Sequence, residues 1–161
     1  MFEISREGPS DGPAIESLLD AAFGAVRHAR PSYALRDGID RIAELCFTAR
    51  NGGTLVGTIR YWPLRIPGAH SGLLLGPIAV DAAHGKAGIG GKLIEQSLAA
   101  ARALGHDAVA AIGDGGYLGR FGFRPAREFG LAFPTPVPPE SFHAIDLLPG
   151  TISGGTVAKI D

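Results

Sequence analysis

The sequence predicts an α/β fold in which a central mixed β-sheet of about six to seven strands is flanked by helices. Three observations carry that expectation. Residues 73–113 read as an apolar strand, a glycine-rich loop, a helix-period segment and a second apolar strand, the crossover that a parallel strand pair requires. Asn51-Gly52-Gly53 separates two runs of β-formers, which marks a hairpin. The chain has 161 residues, 45% of them hydrophobic and 19% charged, and reads as a single domain spanning 1–161.

The elements follow in order. Residues 2–6 alternate and predict a first strand. Ser10-Asp11-Gly12-Pro13 offers a capping side chain and then a first-turn proline, so a helix starts there. Ile15, Leu18, Leu19, Ala22 and Phe23 form its apolar face, and Gly24 ends it. Residues 25–44 contain Arg27, His28, Arg30, Arg36 and Arg41, with Ile39 and Ile42 suited to a short helix. A solvated, mobile connection is the expectation for this stretch; the competing reading is a cationic rim for an anionic substrate or a cofactor phosphate. Residues 45–50 and 54–62 are the two hairpin strands, with Cys46 a small buried core residue.

Leu73–Val80 is apolar throughout, so both faces should be covered. Gly76-Pro77 lies inside it, and proline cannot donate to a ladder, so a bulge or a parting of strands is expected there. The parallel partners are expected to separate near residue 78. After the loop 81–92, Ile89, Leu93, Ile94, Leu98, Ala101 and Leu104 share one helix face, stopped by Gly105. Residues 107–113 form the second buried strand, 115–121 allow a short helix, Gly122-Phe123 opens a further strand, 131–139 is a proline-rich loop, and 142–148 is the last strand.

Fifteen basic residues against sixteen acidic ones leave a net charge of −1, which gives no general attraction to nucleic acid or to an anionic membrane. The single cysteine excludes an internal disulfide, and no metal-type spacing of cysteine or histidine occurs, so no metal is expected. The five histidines are scattered and expected to be solvated. No apolar run approaches the ~18 residues of a membrane span, and the first residues lack the design of a signal peptide, so a reducing cytoplasm is the expected compartment.

A glycine loop between a strand and a helix is a ready anion site, because its N–H groups reach a phosphate and the helix N-terminus adds partial positive charge. Spacing decides which kind. A P-loop ending at Gly91-Lys92 would need glycine at Lys86 and Ser or Thr at Leu93; a dinucleotide loop starting at Gly88 would need glycine at Leu93. Both fail, which leaves a nucleotide-binding protein as the weakest candidate. The run Gly85-Lys86-Ala87-Gly88-Ile89-Gly90 after Ile78-Ala79-Val80-Asp81 instead resembles the acyl-CoA pyrophosphate loop of the GNAT superfamily of N-acetyltransferases. Gly113-Asp114-Gly115-Gly116-Tyr117-Leu118-Gly119-Arg120-Phe121-Gly122-Phe123 resembles that family's closing segment. With Leu74–Val80 and Pro134–Phe142, the likeness extends over about residues 2–150 and to one bacterial subgroup of acetyltransferases.

The resemblance implies acetyl-CoA as co-substrate and an amine of a small molecule or peptide as acceptor, attacked directly on the thioester; a homodimer is left open. It implies pyrophosphate contacts at Gly85, Lys86, Ala87, Gly88, Ile89, Gly90 and Gly91, and pantetheine contacts along the backbone of Ile78, Ala79 and Val80. Two positions depart from the family pattern. Gly85 stands where the loop has Gln or Arg, and Leu118 stands where many members carry a general-acid tyrosine. Tyr117 is the remaining hydroxyl, with two readings of equal standing: general acid, or a ring packed under the cofactor. Asp114 is expected to cap the short helix, although it and Glu44 are the carboxylates that could act as base through water. Arg120 is expected at the surface or near the phosphates, and Phe121 and Phe123 in the core. The Gly85 and Leu118 departures also motivate an alternative, an acyl-CoA-binding module with weak or no catalysis.

Overall fold

A computed structural model describes the backbone of residues 1–161 and every side chain except that of Ala25. The chain runs β1 (Glu3–Arg6), α1 (Gly12–Phe23), α2 (Pro31–Ala34), β2 (Phe47–Asn51), β3 (Thr54–Pro63), β4 (Gly72–Val80), α3 (Ile89–Ala103), β5 (Ala108–Ile112), α4 (Gly115–Leu118), β6 (Arg124–Pro125), β7 (Leu131–Ala132), β8 (Phe142–Asp146) and β9 (Gly155–Thr156). Seven strands form the main sheet in the order β1-β2-β3-β4-β5-β8-β6. Only the β4–β5 pair within it is parallel, as the crossover through α3 requires. No helix of the described residues is long and apolar enough to cross a membrane.

The irregularity expected at Gly76-Pro77 is a β-bulge on β4. Ile59 pairs with Ile78, but Tyr61 pairs with Leu75, so three steps along β4 oppose two along β3. The extra residue reverses the alternation of side chains. Leu73 and Leu75 before it and Ile78 and Val80 after it all join the core beneath α3, while Ala79 packs with Ile15, Leu18 and Leu19 of α1. Gly76 takes φ +134°, a backbone region closed to residues with a Cβ. Pairing of β4 with β5 runs from Gly72↔Ala108 to Leu75↔Ala111 and goes no further. The strands therefore part three residues earlier than expected, at the bulge itself.

The α3 face follows its sequence pattern except at its end: Ile89, Leu93, Ile94, Leu98 and Ala101 are buried against the sheet, and the Tyr61 hydroxyl shares a 2.7 Å hydrogen bond with Ser97 Oγ, but Leu104, expected on the same face, is exposed because the helix ends at Ala103. Cys46 is fully buried, as expected, and burial pushes its thiol up to about 11. Asp11 does sit at the start of α1, yet its side chain does not cap the helix; it accepts from Gly8 N–H and from Arg50. His143 on β8 is buried, against the expectation of solvated histidines, because β8 lies between β5 and β6.

The stretch 25–44 corrects the sequence expectation most. It holds α2 and two 3₁₀ turns, and Ile39 lies outside any helix. Arg27 is only 3% exposed, and its guanidinium donates to Glu16, Asp20 and the Tyr33 hydroxyl. Arg60 of β3 bonds both Glu7 oxygens at 3.0 Å and Glu16 at 3.3 Å, and Arg41 reaches Glu7 at 2.7 Å. Charge pairing thus replaces an apolar stripe as the anchor of this segment. Other departures are small. Residues after Gly122 give only the two-residue β6, and the stretch 131–139 contributes β7, which pairs with β9. That pair makes β8 the penultimate strand.

Asp107, immediately before β5, ties three segments together. Its carboxylate accepts from His70 N–H at 2.8 Å, Ser71 N–H at 2.9 Å and Thr151 Oγ1 at 3.0 Å. Burial alone would raise its pKa, but these donors win and hold it below the ordinary carboxylate value. A folded pKa below the unfolded one means stabilisation present in full above about pH 3.9 and lost as pH falls through the folded value. Asp107→Asn is expected to cost about 1–3 kcal/mol near neutrality, since its amide turns N–H toward a donor. The deficit should shrink as the pH drops below about 4 in urea-unfolding series. A deficit that stays constant into acid would show that the charge is not what matters.

Candidate active site

Where β4 and β5 part, a pocket of 320 Å³ opens between Leu75–Ile78 on one side and Ile112–Asp114 on the other. Tyr117 and Leu118 of α4 and Tyr33 and Arg36 of the charge-paired segment also line it. Gly76 stands at the bulge, outside the register of β4 with β3 and beyond its last pair with β5. Its carbonyl accepts from Trp62 Nε1 at 2.6 Å and from Arg36 Nη1 at 3.3 Å. The Arg36 guanidinium lies over two rings, 3.6 Å from the Tyr33 centroid and 4.5 Å from that of Trp62. Neither Trp62 nor Arg36 stood out in the sequence for this role, because the feature they complete is a backbone carbonyl at the bulge.

The three β4 residues singled out for backbone contacts divide into two kinds. Asp81 N–H donates to Val56 O, so these two residues face each other as a hydrogen-bonded pair. Antiparallel pairs alternate, so in the register Gly57↔Val80, Thr58↔Ala79, Ile59↔Ile78 it is Ala79 that exchanges bonds with β3. The N–H and C=O of Ile78 and Val80 point the other way, into the gap. That is an open strand edge, suited to a ligand carrying backbone-like amides.

The glycine loop lies beside the same gap. His84 ends a 3₁₀ turn and is held by Asp81 Oδ2 at 2.8 Å, and Gly88 is the N-cap of α3. The N–H groups of Gly85 and Ala87 are committed to Ala82 O and His84 O. Among the described residues, those of Gly88, Ile89, Gly90 and Gly91 donate to no carbonyl. Four convergent donors at the start of a 15-residue helix fit a diphosphate. Lys86 and Lys92 are both exposed, next to this group. A Cβ on Gly90 would stand 2.6 Å from the Tyr117 hydroxyl and in ordinary contact with Val80 Cγ2 at 3.6 Å, so tyrosine, loop and strand converge on this glycine.

Tyr117 is half-buried, packed edge-on against Phe121 at 5.3 Å between centroids. Burial raises its pKa against the opposing charge of Arg120, so the hydroxyl keeps its proton at neutral pH. Leu118 is buried at 4% exposure against Gly113. Asp114 caps α4 by accepting from Gly116 N–H at 3.2 Å. Glu44 is exposed and does not line the pocket; its charge acts on His106, near the far end of β5 from the parting. Arg120 is exposed, Phe123 is core, and Phe121 is only half-buried. No group of three or more potential metal ligands occurs among the described residues.

Comparison with known proteins agrees with this geometry. Residues 12–116 match the acetyltransferase (GNAT) family. The chain is 27% identical over 155 residues to the uncharacterized N-acetyltransferase YhbS of Escherichia coli, covering 95% of this chain and 92% of that protein. It is 30% identical over 143 residues to the uncharacterized N-acetyltransferase YjhQ of the same organism, covering 86% and 79%. The crystal structure of Escherichia coli YhbS in complex with CoA superposes with a TM-score of 0.83 at 25% identity, covering 99% of this chain and 89% of that one. A GNAT family acetyltransferase from Brucella melitensis in complex with acetyl-CoA gives 0.73 at 30% identity, covering 98% and 95%.

The loop geometry generates one test. Gly90→Glu would place a carboxylate among the four free N–H groups, and like charges across a binding site cost several kcal/mol, so acetyl-CoA affinity should drop at least about a hundredfold. Gly90→Ala moves only the Tyr117 hydroxyl and is the steric control, with a loss of about tenfold at most. Equal calorimetric affinities for the Glu variant and the parent protein would place the phosphates elsewhere.

Proposed function

Since the chain belongs to the GNAT acetyltransferase family, we propose that it acts as one domain which transfers an acetyl group from acetyl-CoA to a primary amine of a small molecule or peptide by direct attack. The observation that carries this reading is the open edge of Ile78 and Val80 beside four unbonded N–H groups of one helix N-terminus. Two relatives of the same fold are described as complexes with CoA and with acetyl-CoA. Acetyl-CoA, when bound, supplies an activated thioester. The residues of this chain hold and orient it. Gly88, Ile89, Gly90 and Gly91 donate to the diphosphate, with Lys86 and Lys92 adding charge, which offsets the Gln or Arg missing at Gly85. Ile78 and Val80 take the pantetheine amides as a strand would be taken. The same edge offers an N–H toward the thioester carbonyl, where negative charge develops. The lone, buried Cys46 supports a reducing, cytoplasmic setting.

Tyr117 is proposed as the general acid for the departing thiolate. Its raised pKa supports the role, because an acid must carry its proton at the working pH. One observation favours a second reading: the hydroxyl stands against Gly90 of the loop, a place from which it would donate to the cofactor itself. Tyr117→Phe separates the two. As an acid, the residue should contribute about 10²–10⁴ in kcat, with acetyl-CoA affinity kept. As a cofactor ligand, its loss should weaken acetyl-CoA binding and leave kcat at saturation near the parent value. Unchanged values of both would make the ring mere packing.

A further inference from the structure

The charges around the pocket do not cancel, and the residue left over is Arg36. Beneath α1, Glu7, Glu16 and Asp20 pair with Arg27, Arg41 and Arg60, three acids against three bases. Among the described residues no carboxylate pairs with Arg36, and its charged neighbours are Arg27 and Arg60. Burial depresses its pKa, and Arg60 and Arg27 add to that against the opposing pull of Tyr33. The guanidinium donates through Nη1 to Gly76 O, and among the described residues no carboxylate takes its Nε/Nη2 edge. The Tyr33 and Trp62 rings both lie against the guanidinium. Stacking on rings offsets part of the cost of an unpaired, half-buried cation; an anion would offset the rest.

The position of this fork matters as much as its charge. Arg36 touches the carbonyl of the residue at which β4 leaves β5, on a wall of the gap lined by residues of the α1–β2 connection. It also lines a wider surface groove of 860 Å³, together with Arg30, Tyr33 and Trp62. Arg30, exposed and 4.7 Å over the Phe23 ring, borders both cavities. The only carboxylate on the gap pocket is Asp114, already engaged as a cap. The groove also carries Glu16, paired with Arg27 and Arg60, and Asp37, but the charged residues it shares with the gap are Arg30 and Arg36.

We infer that the amine acceptor carries a carboxylate, as a free amino acid or a small amino-carboxylic acid does, and that Arg36 receives it on its Nε/Nη2 fork while the amine faces the gap. The inference rests on the acetyl-transfer reading above. A planar fork matches the two oxygens of a carboxylate, and its short reach from Gly76 O puts the carboxylate within a few bonds of the reacting nitrogen. Arg36 is then a binding residue for the acceptor as well as a donor to the bulge.

The test follows release of the CoA thiol from acetyl-CoA with matched acceptors: the twenty common amino acids, their carboxamides, and phosphoethanolamine. The favoured amino acid should exceed its carboxamide in kcat/KM by about tenfold to a hundredfold, the worth of a charge-assisted hydrogen-bonded pair. Arg36→Gln should bring the amino acid to carboxamide ratio to about one, with acetyl-CoA binding still measurable by calorimetry. Arg36→Lys should restore part of the preference. Since a merely structural Arg36 would lower both rates together, the ratio is the decisive readout. Equal use of each pair, a preference that survives Arg36→Gln, a better rate with phosphoethanolamine, or transfer to no acceptor despite acetyl-CoA binding would each overturn the inference. Failure to bind acetyl-CoA at all would instead bring down the acetyl-transfer reading, and this inference with it.

Discussion

The site exists because one carbonyl, that of Gly76, finds its donors outside the sheet. A bulge cannot take a residue out of its ladder in a protein interior at no cost, since each buried carbonyl left alone forfeits the free energy of a hydrogen bond. At Gly76 that cost is met by Trp62 Nε1 and Arg36 Nη1. Pairing with β5 ends at Ala111, just before the bulge, and the bulge turns Ile78 and Val80 so that side chains go to the α3 core and backbone groups to the gap. Bulge, parting and pocket are one feature seen at three scales.

That dependence ties the two halves of the site to one another. The indole comes from β3 and the guanidinium from the α1–β2 connection, which is itself held by Arg27 beneath α1. The gap and the α1–β2 connection are thus joined at one carbonyl. Glu16 illustrates how firmly. Burial alone would raise its pKa, but Arg27 and then Arg60 draw it below the ordinary value, so the anchor stays charged and engaged throughout the neutral range.

Much of this was legible in the sequence where periodicity or backbone chemistry speaks locally. The 3.6-residue pattern of α3, the Asn51-Gly52-Gly53 turn, the apolar run of β4 and the glycine loop each announce themselves within a few residues, and Gly76-Pro77 marked the irregularity. What stayed hidden depends on partners far along the chain. Arg27 reads as solvated until Glu16 and Asp20 are placed opposite it. Asp11 reads as a cap, yet Arg50, 39 positions away, takes its carboxylate. Strands of two residues, such as β6, β7 and β9, are too short to show any alternation. The division of Ile78 and Val80 from Ala79 follows from register, which no single strand encodes.

The gap also has a consequence for the solution behaviour of the chain. Past the bulge, β4 presents unpaired N–H and C=O groups, which on the outside of a sheet would recruit another chain and promote association. Here that edge is internal. The core beneath α3 covers one face and α1 the other, and diverging β5 forms the opposite wall of the pocket. The open strand edge thus lies within the fold and not along the outside of the sheet.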